Sequence, residues 1–295
     1  MCAAKTAAVI GGGWAGCAAA LELARAGHKV TLFEAARTLG GRARAVAVHG
    51  HTLDNGQHIM LGAYTETMRL MRAAGIDPAR AFLHLPLQMR YPRATGMDFI
   101  APRWPAPLHL LGALLRAKGL AGADKLALAR FSTTARWMGW VLYQDCSVSE
   151  LLERFDQTER LIRLMWRPLC LAALNTPPER ASAQVFLHVL RDSLGAKRRD
   201  ACDMLLPRVD LTSAFPGAAA ARIEADGGSV RTGATVQRIV RFKDNWQVEA
   251  SGASVGGTWT AYFDRVVLAT NPSAAGGLLA DLADAATLER LRGLA

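Results

Sequence analysis

The stretch Ala7-Ala8-Val9-Ile10-Gly11-Gly12-Gly13-Trp14-Ala15-Gly16 joins a short apolar run to Gly-x-Gly-x-x-Gly, and the residues from Cys17 to Ala26 that follow are helix-like. Apolar strand, glycine turn and helix in that order predict the first βα unit of a dinucleotide-binding domain. Gly11 permits the tight turn, and Gly13 lets the backbone approach a pyrophosphate with no Cβ in the way. Gly16, with Ala20, lets helix and strand lie close together. The helix N-terminus then faces an anion, which its free N–H groups and dipole favour.

Three glycines at this spacing also occur in ordinary turns, so the flanking segments decide. Gly27 stops the helix, Lys29 to Phe33 reads as a second strand, and Glu34 ends it. That places a carboxylate about 20 residues beyond the glycines, where a ribose diol is gripped. An acidic residue there suits an unphosphorylated ribose and disfavours NADP. Next comes Arg37-Thr38-Leu39-Gly40-Gly41-Arg42. Its backbone amides and the Arg42 guanidinium can hold a diphosphate from the far side, which a simple NAD dehydrogenase does not need.

Gly11-x-Gly13-x-x-Gly16, Glu34 and Gly40-Gly41-Arg42 together resemble the FAD-binding signature of the flavin amine oxidase and phytoene desaturase superfamily. Two later segments agree: Phe215 to Val240, read as helix, Gly227-Gly228, strand and Val236-Gln237-Arg238-Ile239, and Val266 to Pro272, which resembles a buried parallel strand returning to the cofactor domain. The resemblance implies an α/β fold, in which an FAD/NAD(P)-binding Rossmann-like domain with a parallel sheet and a three-stranded crossover is interrupted by a largely helical α+β substrate domain. Expected boundaries are 1–85 and 211–295 for the FAD domain and 86–210 for the insertion. It also implies FAD as cofactor, held by Gly11, Gly13, Ala15, Gly16, Glu34, Gly41, Arg42, Gly56, Gln57 and the backbone of Val236.

A narrower match rests on Asp54-Asn55-Gly56-Gln57-His58 through Tyr64, on Trp166-Arg167-Pro168-Leu169 through Ala172-Ala173-Leu174-Asn175-Thr176-Pro177, and on Met204 to Asp210. These resemble the squalene-associated FAD-dependent desaturases, the family of hydroxysqualene dehydroxylase in hopanoid pathways. The expected reaction is reductive removal of the hydroxyl of hydroxysqualene to give squalene, with electrons from an external donor, since no second Gly-x-Gly-x-x-Gly follows a strand. The alternatives are a carotenoid or phytoene desaturase, or an amine oxidase, and, from another class, an inactive FAD- or lipid-binding protein. The last reading comes from the C-terminus: nothing after Asn271 resembles the Gly-Asp segment and final helix with which the superfamily closes the flavin site, so the chain is expected to be a fragment or a shortened form.

Dehydroxylation needs a proton donor, a hydride source and an apolar tunnel. Gln57 is a candidate for a hydrogen bond to the flavin edge, His58 for the acid, and Arg167 for stabilising the leaving hydroxyl. Against these stand an Asx-turn at Asp54 and Asn55 with a packed His58, and a helix boundary at Arg167-Pro168. Trp137, Trp140 and Trp166 suit either a tunnel wall or core packing. Arg191, Asp192, Arg208 and Asp210 are read as structural ion pairs.

The 295 residues, 51% of them hydrophobic, suffice for two domains. Cys2, Cys17, Cys146, Cys170 and Cys202 are scattered without metal spacing, so no metal site is expected and the thiols read as reduced and cytoplasmic. A strand so near the N-terminus leaves no room for a signal peptide. Leu108, Leu110, Leu111, Leu114 and Leu115 lie beside Arg116, Lys118, Lys125 and Arg130, and with the net charge of +10 they fit either contact with an anionic membrane surface or a core helix with a solvated edge. Nucleic acid is not expected as a partner, because no basic run carries interleaved aromatics and no RNA- or DNA-binding motif is present.

Overall fold

The computed structural model describes residues 5–91, 96–252 and 255–294. Strand β1 (Thr6–Ile10) buries Ala7, Ala8, Val9 and Ile10, as a strand covered on both faces requires. In chain order there follow α1 (Trp14–Arg25), β2 (Lys29–Glu34), β3 (Ala45–Val48), β4 (His51–Asp54), β5 (Met60–Leu61), α2 (Thr65–Ala73) and α3 (Pro78–Ala81). Then come β6 (Phe82–Leu85), β7 (Gln88–Arg90), β8 (Asp98–Ile100), α4 (Leu108–Arg116), α5 (Gly122–Trp137) and α6 (Val148–Arg154). One helical run consists of α7 (Glu159–Leu161), a π-helical turn at Ile162–Trp166 and α8 (Arg167–Leu174), and it precedes α9 (Ala183–Asp192) and β9 (Met204–Pro207). The remainder is α10 (Leu211–Ala214), α11 (Pro216–Ala225), β10 (Ser229–Thr232), β11 (Thr235–Phe242), β12 (Asn245–Gly252), β13 (Gly257–Phe263), β14 (Arg265–Leu268), α12 (Pro272–Leu278) and α13 (Ala285–Gly293).

The chain divides into two compact units, one of Met1–His58, Glu66–Phe82 and Pro207–Ala295, the other of Ile59–Thr65 and Leu83–Leu206. In the first unit β10, β2, β1 and β14 form a parallel sheet in that order. Beside it, β11, β12 and β13 make the antiparallel three-stranded sheet, with a register shift between Val236 and Arg238. Ala8, Ile10 and Phe33 of the parallel sheet share one core with Val236, Ile239, Val248, Ala250 and Phe263 of the three-stranded sheet. The Phe33 ring lies 5.4 Å from Trp259 and 6.3 Å from Phe263. Helix α1 buries Gly16, Cys17, Ala20, Leu21 and Ala24, a stripe of mostly small residues at helical spacing that lets the axis lie near the sheet and α11. The return strand β14 differs from expectation: Val266, Val267 and Leu268 are half-buried, because among the described residues this strand is the sheet edge.

The second unit is mainly helical. The hairpin β7–β8 pairs Gln88 with Ile100 and Arg90 with Asp98; Pro92 to Thr95 of its turn lie outside the described residues. Trp166 is 2% exposed, with Phe131 at 4.7 Å and Phe186 at 6.2 Å between ring centroids. Its indole N–H donates to Gln157 Oε1 at 2.9 Å. Trp166 and Trp140 therefore belong to the core, while Trp137 is exposed. Close packing on all sides leaves Trp166 no free ring face for a tunnel. Asn175, after α8, takes the left-handed conformation (φ 49°) and ends that helix, so it is a C-terminal cap.

Candidate cofactor site

The cradle begins where β1 meets α1. Gly11 has φ 105°, and a Cβ on it would stand 2.5 Å from the Ala269 carbonyl oxygen. A Cβ on Gly16 would overlap the Gly11 carbonyl oxygen. Gly13 is different: its φ is −70°, and a Cβ there would meet only the Gly41 Cα, at 3.9 Å. The outer side of the turn at Gly13 is thus open. Gly13 precedes α1 without a side-chain cap, and the first turn of α1 carries no acidic residue, so the N–H groups there have no intrahelical partner and attract an anion.

The second glycine pair completes the concavity. Gly40 N–H donates to the Gly12 carbonyl at 2.8 Å, and Gly13 and Gly40 form a parallel bridge. Gly41 has φ 61°, and a Cβ there would come within 3.2 Å of Gly13 Cα. Glu34, at the end of β2, accepts from Gly12 N–H at 2.6 Å and from Ala36 N–H at 2.8 Å. These two bonds aim its carboxylate beside the turn. Ala234 N–H donates to the Glu34 carbonyl at 3.0 Å, which ties the approach to β11 and Val236 to the same place.

The two arginines behave unlike each other. Arg42 is exposed, whereas Arg44 folds back and donates to the Gly41 carbonyl at 2.8 Å. Thr212 was also invisible to motif reading: its Oγ1 accepts from Ala45 N–H at 2.9 Å and donates to the Leu39 carbonyl at 3.2 Å. Cys17, under the turn, is buried, and its thiol pKa is pushed up to about 12 by burial first and by the Glu34 charge second. It is a packing residue without nucleophilic character at neutral pH.

Beyond β4 lies the loop Asn55–His58. Asn55 N–H donates to the Arg44 carbonyl at 2.9 Å, so the loop is anchored next to the cradle. The Asp54 side chain accepts from Leu211 N–H at 2.8 Å and fastens α10, in place of the expected Asx-turn. Asn55, Gly56 and Gln57 are exposed and His58 is half-buried. His58 Nδ1 lies 3.1 Å from the Gly56 carbonyl oxygen. A carbonyl only accepts, so Nδ1 carries the proton and Nε2 is the nitrogen left for other chemistry.

Arg167 belongs to the other unit. It starts α8 and pairs with Glu179 at 2.7 Å, both side chains about half exposed. Arg191 pairs with Asp192 at 2.7 Å, and Asp210 caps α10 through Ser213 N–H. A buried polar cluster in that second unit had no sequence signal: Cys202 Sγ lies 3.3 Å from His109 Nε2, and Arg199 grips Asp203 with two hydrogen bonds of 3.0 and 3.1 Å. Burial raises the Asp203 carboxyl against the opposing pull of Arg199. Among the described residues no group of three or more His, Cys, Asp or Glu side chains is placed to hold a metal ion.

A parallel sheet with a glycine turn at the head of its first helix, a carboxylate ending the second strand, a second glycine pair closing the concavity and a three-stranded crossover define an FAD-binding Rossmann-like protein. The chain belongs to the flavin containing amine oxidoreductase family, whose model matches residues 14–291, and its cofactor is FAD. It is 31% identical over 293 residues to the hydroxysqualene dehydroxylase of Rhodopseudomonas palustris, covering 94% of this chain and 64% of that protein. A zeta-carotene desaturase of Zea mays is 35% identical over 123 residues, 40% of this chain and 21% of the relative. Among solved structures an oxidoreductase from Methanosarcina mazei superposes with a TM-score of 0.71 at 16% identity, over 97% of this chain and 65% of that one. The chain thus spans about 64% of the length of the dehydroxylase it resembles.

Proposed function

We propose that this chain carries the FAD-binding and substrate-facing parts of an FAD-dependent dehydroxylase that converts hydroxysqualene into squalene. The observation that supports it most is identity to a hydroxysqualene dehydroxylase over 94% of the chain. In this reading Gly13, Gly41 and the first turn of α1 bind the FAD diphosphate by backbone N–H groups, with Gly11, Ala15 and Gly16 shaping the turn. Arg42, whose side chain is exposed, adds a positive charge. Glu34 holds the adenosine ribose, and the backbone near Val236 faces the adenine.

Reduced FAD, when bound, supplies a hydride, and an external donor restores its two electrons. The substrate C–O bond breaks, the oxygen leaves as water with one added proton, and a C–H bond takes its place. Gly56 allows close backbone approach at the reactive end, and Gln57, exposed in the same loop, offers its amide there. His58 is the proton source: the Nδ1–H bond to Gly56 fixes the ring and leaves Nε2 as the nitrogen that carries the acid proton. The Glu179 partner already engages Arg167, so Arg167 acts through helix anchoring.

The test is the visible spectrum of the purified 295-residue chain before and after dialysis, followed by anaerobic reduction with dithionite and addition of hydroxysqualene. The expected result is a retained yellow flavin band that bleaches with dithionite and returns as squalene forms. A flavin-loaded protein that leaves hydroxysqualene untouched but introduces double bonds into a carotene precursor would replace the dehydroxylase reading with the desaturase one.

A further inference from the structure

We propose that the second unit docks on an anionic lipid leaflet through one face of α4 and the basic cavity beside it. Leu108, Leu111 and Leu115 are 52%, 51% and 66% exposed. At helical spacing they fall in one narrow stripe, while His109, Gly112 and Ala113 turn inward and are buried. Leu110 and Leu114 are half-buried, so only three of the five leucines that the sequence offered form the outer stripe.

Trp104 extends the stripe. Gly112 leaves room for its ring, since a Cβ there would stand 2.7 Å from the indole. The Arg116 guanidinium lies over the same indole, 4.6 Å from the ring centroid. Trp104 and Ile100 remain 42% and 40% exposed. Trp104 thus lies against α4 and Ile100 lines the cavity with Arg116, and an amphipathic tryptophan beside a cation suits the headgroup level of a bilayer.

The charge of the rim names the occupant. A cavity of about 330 Å³ is lined by Arg90, Asp98, Ile100, Pro102, Arg116 and Lys118. Asp98 lies 3.8 Å from Arg90, which leaves Arg116 and Lys118 as positive charge beyond the pair. Lys125 adds a further cation, held by a 2.9 Å bond to the Leu115 carbonyl at the end of α4. No Asp or Glu occurs between Asp98 and Asp124. A second copy of the chain seated on the same face about a twofold axis would bring these cations together, which repel. Nucleic acid would leave the leucines without a partner. Phosphate headgroups over an acyl layer match both halves of the surface. Among the described residues no helix is long and apolar enough to cross a membrane, so the contact lies on the leaflet.

The inference rests on this face and not on the substrate reading above. Flotation with vesicles of phosphatidylcholine alone, and of phosphatidylcholine mixed with phosphatidylglycerol, tests it at low and high salt. The protein should float with the anionic vesicles and release as salt rises. The triple variant Leu108→Gln, Leu111→Gln, Leu115→Gln keeps the net charge and should lose about tenfold or more in vesicle affinity. If that variant does not fold, Leu115→Gln alone, at the most exposed of the three, carries the test with a smaller loss. Arg116→Gln with Lys118→Gln should weaken binding to the anionic vesicles only. Leucine variants that float like the parent would reduce the binding to net charge and overturn the proposal. So would no flotation of the parent, or a parent dimer that the leucine substitutions convert to monomer. A parent chain that forms squalene yet does not float would refute the docking face and leave the dehydroxylase reading standing.

Discussion

The glycine turn of residues 11–16 and the loop of residues 55–58 belong to one unit, and they are held in opposite ways. In the turn, the neighbours of Gly11 and Gly16 are backbone carbonyls that a single methyl group would strike. In the loop, three of four residues are exposed, and the tethers described are the Asn55 N–H bond to Arg44, the long Asn55 side-chain bond to the Arg42 carbonyl, the Gly56 N–H bond to Asp54 and the His58 ring bond to Gly56. In the proposed reading, a dinucleotide is received by a surface defined by missing side chains. The proposed reactive end offers exposed side chains on a loop, and ordering them on a bound ligand would carry an entropic cost.

The contrast is tested most severely by Gly16→Ala. Its Cβ would overlap the Gly11 oxygen, and forcing it in should cost about 3 kcal/mol or more, read as a lowered urea midpoint together with loss of the flavin band. Glu34→Gln comes next. It removes the charge that two N–H groups share and leaves one of them without an acceptor, for a loss of about 1.5 kcal/mol and weaker FAD retention on dialysis.

Gly13→Ala separates folding from binding. Its Cβ meets open space except for Gly41 Cα at 3.9 Å and its φ is ordinary, so stability should change by less than about 1 kcal/mol while FAD is lost at once. If Gly13→Ala unfolded the protein as Gly16→Ala does, the turn would be a purely structural device and the contrast would fail. His58→Asn should move stability least, by less than about 0.5 kcal/mol, while squalene formation in the flavin-loaded protein drops about a hundredfold. Cys17 gives a chemical check: iodoacetamide at neutral pH should leave it unmodified until denaturant exposes it, since its thiol pKa lies at about 12.

Much of the first unit was legible because its requirements are local. A turn of left-handed backbone needs glycine, and a strand covered on both faces needs the unbroken apolar run from Ala7 to Ile10. The helix, the second strand and Glu34 follow at fixed spacing. What escaped was chosen by neighbours distant in sequence. Arg44 and not Arg42 meets the Gly41 carbonyl, and nothing in Gly40-Gly41-Arg42 separates the two. Thr212 reaches Leu39 across 173 positions, and Asp54 reaches Leu211 across 157. Trp166 has helical spacing compatible with a tunnel wall, yet Phe131, Phe186 and Gln157 enclose it.

By itself, then, the sequence determined the cofactor class and the parallel-sheet frame, because steric exclusion at Gly11 and Gly16 and the strand–turn–helix spacing depend on residues adjacent in the chain. Only the tertiary structure decided which polar groups complete the cradle and which leucines of α4 face outward. Those outcomes depend on what packs against each side chain, and hydrogen bonding and burial join residues that no short-range pattern relates.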